Sequence, residues 1–354
     1  MSLKTYTLDE SEKWDEVVHT FKDYDVYYLS GYVKAFKIHG DGEPLLFYYE
    51  DEAIRGINVV MKRDISLDNN FKGKIPENTY FDFSTPYGYG GWLIEGDGNK
   101  DNLFKEYEKW CLKNNIISEF VRFELFTDYD KYFRGKIESK THNVVRNLEM
   151  NSDDIWMDFK QKVRKNVKKA NKYNLQIIRD PAGKYLDDFL RIYYMTMDRT
   201  EAKEDYYFTE EFFKQLNKMK DNVMYFHVTH FDEKTKKDII ISTELVIYGA
   251  ENCYSYLGGT NSEYFDMRPN DFLKYEIIKW AKEKGLKNFV LGGGYGSDDG
   301  IFQYKICLAP NGIVDFYIGK KVFDEEKYNY LLNLRKETDN EFDVNTGFFP
   351  EYRG

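Results

Sequence analysis

Two periods of apolar residues alternate along the chain and lay out its elements. Near the start, Trp14, Val17, Val18 and Phe21 fall at helical spacing and predict a short helix over 10–21. Apolar runs at 45–49 and 54–61, joined by the acidic Glu50-Asp51-Glu52, predict a hairpin. A polar loop at 68–78 leads into a strand over 79–94, broken by Pro86, Gly88, Gly90 and Gly91. A helix over 103–112 turns Leu103, Tyr107 and the Trp110-Cys111 pair inward, and strands follow at 120–126 and 143–150.

The second half repeats this order. Runs at 224–230 and 239–248 form a hairpin, and a buried strand follows at 253–258. In the helix predicted over 270–284, Leu273, Ile277, Trp280 and Ala281 share one side and the lysines lie mostly on the other. Pro269 precedes that helix, Asn270 or Asp271 can cap it, and Gly285 closes it. A short strand at 289–291 then runs into the glycine-rich 292–296. Alternation over 302–308 predicts a strand with Phe302, Tyr304, Ile306 and Leu308 on one face, joined to 313–318 through an Asn311-Gly312 turn. The matching helices of the two halves begin about 170 residues apart with slight identity, a repeat of pattern rather than of sequence. Two α/β units of about 150 residues each are the simplest architecture. In such units the ligand crevice lies at the carboxyl ends of the strands, where Gly258-Gly259-Thr260 and 292–296 fall.

Between the halves lies a helix predicted over 152–175. Lys160, Lys162, Arg164, Lys165, Lys168, Lys169 and Lys172 fall within thirteen of its residues, 160–172, without one acid, and Phe159, Val163, Val167 and Ala170 form its buried stripe. Further helices are expected at 185–200, ending in Asp198-Arg199, at 210–218 and at 325–336.

Composition narrows the classes. Aromatic residues make up 18% of the chain, which decides against disorder. A net charge of -10 argues against indiscriminate coating of nucleic acid but leaves room for a local basic site. Cys111, Cys253 and Cys307 are far apart with no CxxC, so buried reduced thiols are expected. His227 and His230 would point to opposite faces of a strand, so no metal site is expected. No apolar run approaches the roughly 20 residues that span a bilayer, and the N-terminus shows no apolar leader segment, so a cytoplasmic protein is expected.

The chemistry-bearing motifs are sparse. The loops 85–91 and 292–296 either turn tight corners or let a backbone approach a ligand. Neither is a phosphate-binding GxxxxGK[ST], and no GxGxxG opens a helix. The lysine run has two readings, a solvated face or a contact for a phosphate-rich partner. Lys305 is the lone charge in its predicted strand, where a lysine ordinarily faces solvent; its place beside a glycine loop raises its interest. Tyr254 and Tyr256, on one predicted strand face, are ordinary core residues, and Arg199 closes a helix, where a cation is favourable anyway. No Ser–His–Asp order, catalytic carboxylate pair or HExxH can be assembled. A transferase that mainly positions two substrates fits this poverty of nucleophiles.

Several stretches, in this order, resemble the FemAB/FemX family of peptidoglycan-bridge aminoacyl transferases and the wider tandem-GNAT group. Residues 159–175 (FKQKVRKNVKKANKYNL) are similar to the family's basic helix, and 85–91 (TPYGYGG) to its SP.YGG loop. The likeness continues through 254–259 (YSYLGG), 268–293 (RPNDFLKYEIIKWAKEKGLKNFVLGG) and 300–305 (GIFQYK), the last resembling the family's G...FK. It implies an α/β (α+β) fold of two tandem GNAT-like domains, 1–150 with 323–354 and 151–322, the C-terminal helix folding back on the first. It implies aminoacyl transfer from charged tRNA to an amine of a muropeptide precursor, UDP-linked or lipid-linked, without a cofactor. By family position Lys305, with Tyr304 beside it, would stand at the acyl-transfer site. Arg199 and Tyr256 would hold the precursor's diphosphate and sugar end, with Lys37 a helper, and Arg164, Lys165, Lys168 and Lys169 would contact tRNA. The chain departs from the pattern at Tyr304, where the family has Phe, at Asn174, where it has Gly, and in lacking a long coiled-coil arm. The alternative is an N-acyltransferase using acetyl-CoA or another acyl-CoA, and a third reading is a non-catalytic module that kept the fold. Coenzyme A is disfavoured because the loop 260–269 has no glycine and carries Glu263 and Asp266, which would repel a diphosphate. The loop 96–101 of the first half likewise lacks an arginine or glutamine.

Overall fold

A computed structural model of the chain describes residues 2–294 and 299–354. Tyr295 and Gly296 of the second glycine loop therefore lie outside the described residues. By packing, the chain divides into two compact units, Met1–Lys140 with Phe316–Gly354, and Thr141–Asp315. The boundaries read from the sequence were 150/151 and 322/323.

The first unit runs β1 (Ser2–Tyr6), α1 (Ser11–His19), α2 (Ser30–His39), β2 (Glu43–Glu50), β3 (Arg55–Asp64), β4 (Phe81–Ser84), β5 (Leu93–Glu95), α3 (Asp101–Lys113) and β6 (Ile116–Arg122). The predicted hairpin is β2–β3, and β1 extends it in antiparallel pairing; neither β1 nor α2 was anticipated from periodicity. β4 and β6 pair in parallel on either side of α3 in sequence, the crossover arrangement that a helix makes possible. Phe47, Val60 and Phe83 of the sheet pack against Leu103, Tyr107 and Cys111 of α3.

The second unit takes in the end of β7 (Lys136–Asn147), then α4 (Ser152–Asp158), α5 (Gln161–Lys172), β8 (Gln176–Asp180), α6 (Leu186–Arg199), α7 (Glu210–Leu216), β9 (Val223–Asp232), β10 (Lys237–Tyr248), β11 (Asn252–Thr260), α8 (Pro269–Glu283), β12 (Asn288–Gly292) and α9 (Gly300–Leu308). Its strands lie in the order β7, β12, β11, β10, β9, β8, with only β11–β12 parallel. Its core joins Val163 and Val167 of α5, Ile277 and Ala281 of α8, and Phe302 and Leu308 of α9 to the sheet. The chain then returns to the first unit as β13 (Ile313–Val322), antiparallel to β6, and α10 (Glu325–Thr338), whose Tyr328 and Leu331 pack with Ile117 of β6.

Two expectations need correction and one a refinement. The strand predicted over 302–308 is the helix α9, so no hairpin joins it to β13. Asp299 caps α9 by accepting from the Phe302 N–H at 2.6 Å. The run is apolar around most of the helix, which leaves an accidental period of two; short apolar runs do not distinguish strand from helix. The single basic helix is two, α4 and α5, broken at Phe159-Lys160, both of which are extended in ψ. The burial of Phe159 against the core and the Lys160 N–H to Cys307 O bond at 3.0 Å hold that break. Finally, Lys279 and Lys284 lie exposed on the outer side of α8 as expected, with Lys274 the exception, buried.

Candidate functional site

The opening of the sheet around α8 makes the site. β11 is nine residues long, yet it pairs with β12 only through Asn252, Cys253 and Tyr254. From Ser255 onward its β10 edge stays paired while its other edge faces a cavity of about 490 Å3. A β-bulge lies at the point of divergence. Leu245 pairs with Leu257 and Val246 with Ser255, so Tyr256 is passed over in the register. Bulges re-aim side chains in this way next to binding sites. Tyr254 and Tyr256 therefore do not share a role: Tyr254 is buried at 2% exposure, and Tyr256 lines the cavity. Gly259 lets β11 run against α6, since a Cβ there would stand 2.2 Å from Thr196 Oγ1 and 2.8 Å from Ile192 O.

Four of the residues singled out in the sequence meet here. Lys305 and Tyr304 of α9, Arg199 at the end of α6 and Tyr256 of β11 all line the cavity. Lys305 sits partly buried on a helix rather than on a solvent-facing strand, and its ammonium donates to Gly293 O at 2.5 Å. Gly292, at φ 81°, keeps the backbone beside that ammonium free of a side chain. Burial, with the Lys274 ammonium nearby, brings the Lys305 pKa down to about 8, opposed by Glu244 and Asp299. Burial drives the Tyr304 phenol far above its usual range, and its hydroxyl has no hydrogen-bond partner among the described residues. The Arg199 guanidinium lies over the Phe265 ring, 4.9 Å from its centroid.

Lys37 is placed elsewhere. It lies on α2 of the first unit, in an exposed pair with Glu43 at 2.6 Å. Of the basic helix, Arg164 spends its guanidinium on the carbonyl oxygens of Met157 and Phe159, which steadies the turn from α4 into α5. Lys165 and Lys168 are exposed and Lys169 partly so, and none of the three has an ion-pair partner among the described residues.

Four charged residues of the cavity were not read from the sequence as site residues. The Lys274 ammonium lies 2.6 Å from both Glu244 oxygens and 2.5 Å from Ser255 Oγ, with Lys274 at 7% and Glu244 at 4% exposure. Glu244 did carry a signal, as the only charge in the apolar run 239–248. Arg268 adopts φ 61° where it caps α8, a left-handed conformation rare outside glycine and asparagine. Asp271, in the first turn of α8, is 7% exposed and accepts from Asn166 Nδ2 of α5 at 3.1 Å. Burial raises its pKa to about 6, against the pull of Asn166, Arg268 and Lys162. Glu263 and Asp266, expected to repel a diphosphate, are exposed and do not line the cavity; Asp271 is the acid at the start of α8. Among the described residues, no group of three or more His, Cys, Asp or Glu is placed to hold a metal ion.

The fold is mixed α/β, a sheet flanked by helices, and the class of its second unit is GNAT-like. Residues 157–305 match the family model described as an acetyltransferase (GNAT) domain, within the second unit but for less than half of the chain. Within the class the chain is FemX-like, and the resemblance to the FemAB/FemX family holds. The crystal structure of FemX superposes with a TM-score of 0.68 at 14% identity, covering 93% of this chain and 99% of that one. The lipid II:glycine glycyltransferase of Staphylococcus epidermidis RP62A is 23% identical over 128 residues, 34% of this chain and 30% of the relative. Its counterpart in Staphylococcus haemolyticus is 26% identical over 100 residues, 28% of this chain and 23% of the relative. The chain thus spans less than a third of the length of these curated relatives. Among the described residues no helix is long and apolar enough to cross a membrane.

Proposed function

We propose that the protein transfers an aminoacyl group from a charged tRNA to an amine of a peptidoglycan precursor. The relatives' names make glycine the leading acyl group and a lipid-linked muropeptide the leading acceptor. The observation that carries the reading is the meeting of Lys305, Arg199 and Tyr256 around one cavity. The amine attacks the ester carbonyl, and the partly buried Lys305 ammonium stabilises the oxyanion that develops there, where reduced polarity strengthens the attraction. Arg199 and Arg268, both on the lining, suit the phosphates of the acceptor. Lys165, Lys168 and Lys169 of α5 remain the candidate tRNA contact.

The acetyltransferase description of the matched domain favours a second reading, acyl transfer from coenzyme A. The start of α8 speaks against it as a diphosphate cradle. Pro269 offers no N–H, the Asp271 amide turns to its own carboxylate, and the Phe272 N–H bonds to Arg268 O. Incubating the protein with glycyl-tRNA and either lipid II or the UDP-linked muropeptide, with mass analysis of the product, tests the first reading. Absence of product with every aminoacyl-tRNA, together with saturable thermal stabilisation by acetyl-CoA, transfers the case to the second.

A further inference from the structure

Transfer to an amine raises a proton problem that the Lys305 ammonium does not solve. The acceptor amine arrives as an ammonium and has no lone pair until a base takes a proton from it. Among the described residues, two carboxylates, Glu244 and Asp271, line the cavity. Glu244 is committed, with both oxygens 2.6 Å from the buried Lys274 ammonium, and protonating it would strand that charge. Asp271 has no ion-pair partner among the described residues and accepts one hydrogen bond from another side chain, that of Asn166.

We infer that Asp271 is the catalytic base that takes the proton from the acceptor ammonium, an inference that rests on the transferase reading above. An aspartate in a helix's first turn is ordinarily an exposed complement to the helix dipole. Asp271 is buried instead, at the wall of the cavity, and is held sideways by a neighbouring helix. The groups facing it are Arg268 in the turn before α8, Lys162 and Asn166 on α5, and Tyr304 on α9. The cations keep it ionised near neutrality, and burial makes it basic enough to accept a proton there. Asp271 takes one proton from the ammonium, and the freed nitrogen forms the C–N bond. As the ester C–O bond breaks, the leaving oxygen takes a second proton from that nitrogen. The products are an amide, the free hydroxyl of the donor and one proton, which Asp271 returns to solvent.

The test measures single-turnover transfer between pH 5 and 8.5 for the wild type, Asp271→Asn and Asp271→Glu, with melting midpoints to check folding. At neutral pH, Asp271→Asn should lower the rate about 100-fold or more with KM little changed, and should abolish the fall in rate below pH about 6. Asp271→Glu should recover part of both. Hydroxylamine, a nucleophile uncharged at neutral pH, should be acylated by Asp271→Asn at close to the wild-type rate above background. A wild-type rate and acid limb in Asp271→Asn, or an equal loss with hydroxylamine, overturns the assignment. A wild type inactive with every donor and acceptor instead sinks the transferase reading, and this inference with it.

Discussion

The two units run the same order of hairpin, strand, helix and strand, yet only one opens. In the first, β4 pairs with β6 along its whole length, from Phe81 to Ser84, and the pairing outlasts the strand in the Gly90–Phe123 bridge. The space left beside α3 is about 20 Å3, closed in part by Trp92, Tyr107 and Glu119, with Tyr107 donating to Glu119 at 2.7 Å. In the second, β11 leaves β12 after Tyr254, and the space is about 490 Å3. Asp82 in the middle of β4 is fully buried and accepts from Arg63 Nε and Arg353 Nε at 2.6 Å each and from Tyr352 at 3.0 Å. A shared order of elements therefore supplies a scaffold, and the bulge with the residues around it makes a site. One unit spends its buried charge on holding itself together, and the other leaves part of its charge facing a cavity.

The comparison can be broken most severely at Asp82. Asp82→Ala leaves two arginines without their buried partner and should destabilise the first unit by about 3–5 kcal/mol in urea unfolding. Transfer per folded molecule should stay unchanged; a lost cavity activity in folded protein would tie the two kinds of buried charge together. Next in size, Lys305→Ala should lower transfer about 10²–10³-fold, or roughly 3–4 kcal/mol, with the fold intact. Since the proposed step uses the ammonium, the wild-type rate should fall as pH rises past about 8. Stability runs the other way. The unfolded chain holds the Lys305 proton more tightly between pH about 8 and 10.5, so unfolding becomes harder as pH rises through that window. Lys305→Met should flatten that rise and stabilise the second unit at neutral pH, which differential scanning calorimetry would read.

Gly259→Val sharpens the contrast by pressing a side chain between β11 and α6. Its clash with Thr196 and the Ile192 carbonyl should cost about 1–3 kcal/mol and raise KM more than it lowers kcat. Asp299→Ala is the mildest change, removing the cap of α9 for about 1 kcal/mol. A loss of transfer much larger than that loss of stability would mean that α9 carries Lys305 on a finely set geometry.

Much of this architecture was legible beforehand because long amphipathic segments carry their own signal. The helices α3 and α8, the hairpins β2–β3 and β9–β10 and the basic α5 all follow from spacing. Of the four residues that line the cavity as well, Lys305 stood out by its place beside a glycine loop, and Tyr304, Arg199 and Tyr256 by resemblance to known motifs. Asp271 and Lys274 did not stand out, since a carboxylate in a first turn and a lysine in a helix look like surface residues until the neighbouring helix and sheet cover them. α9 was misread because nine residues that are apolar on most sides carry no reliable period.

By itself the sequence determined the long amphipathic helices, the hairpins β2–β3 and β9–β10 and the recurrence of their order, because periodicity and capping act over a few residues. Tertiary structure alone decided that β11 parts from β12, that a bulge re-aims Tyr256, and that Glu244 is bound to Lys274 while Asp271 is not. Those outcomes depend on pairing and burial between residues far apart in the chain, where no local pattern reaches.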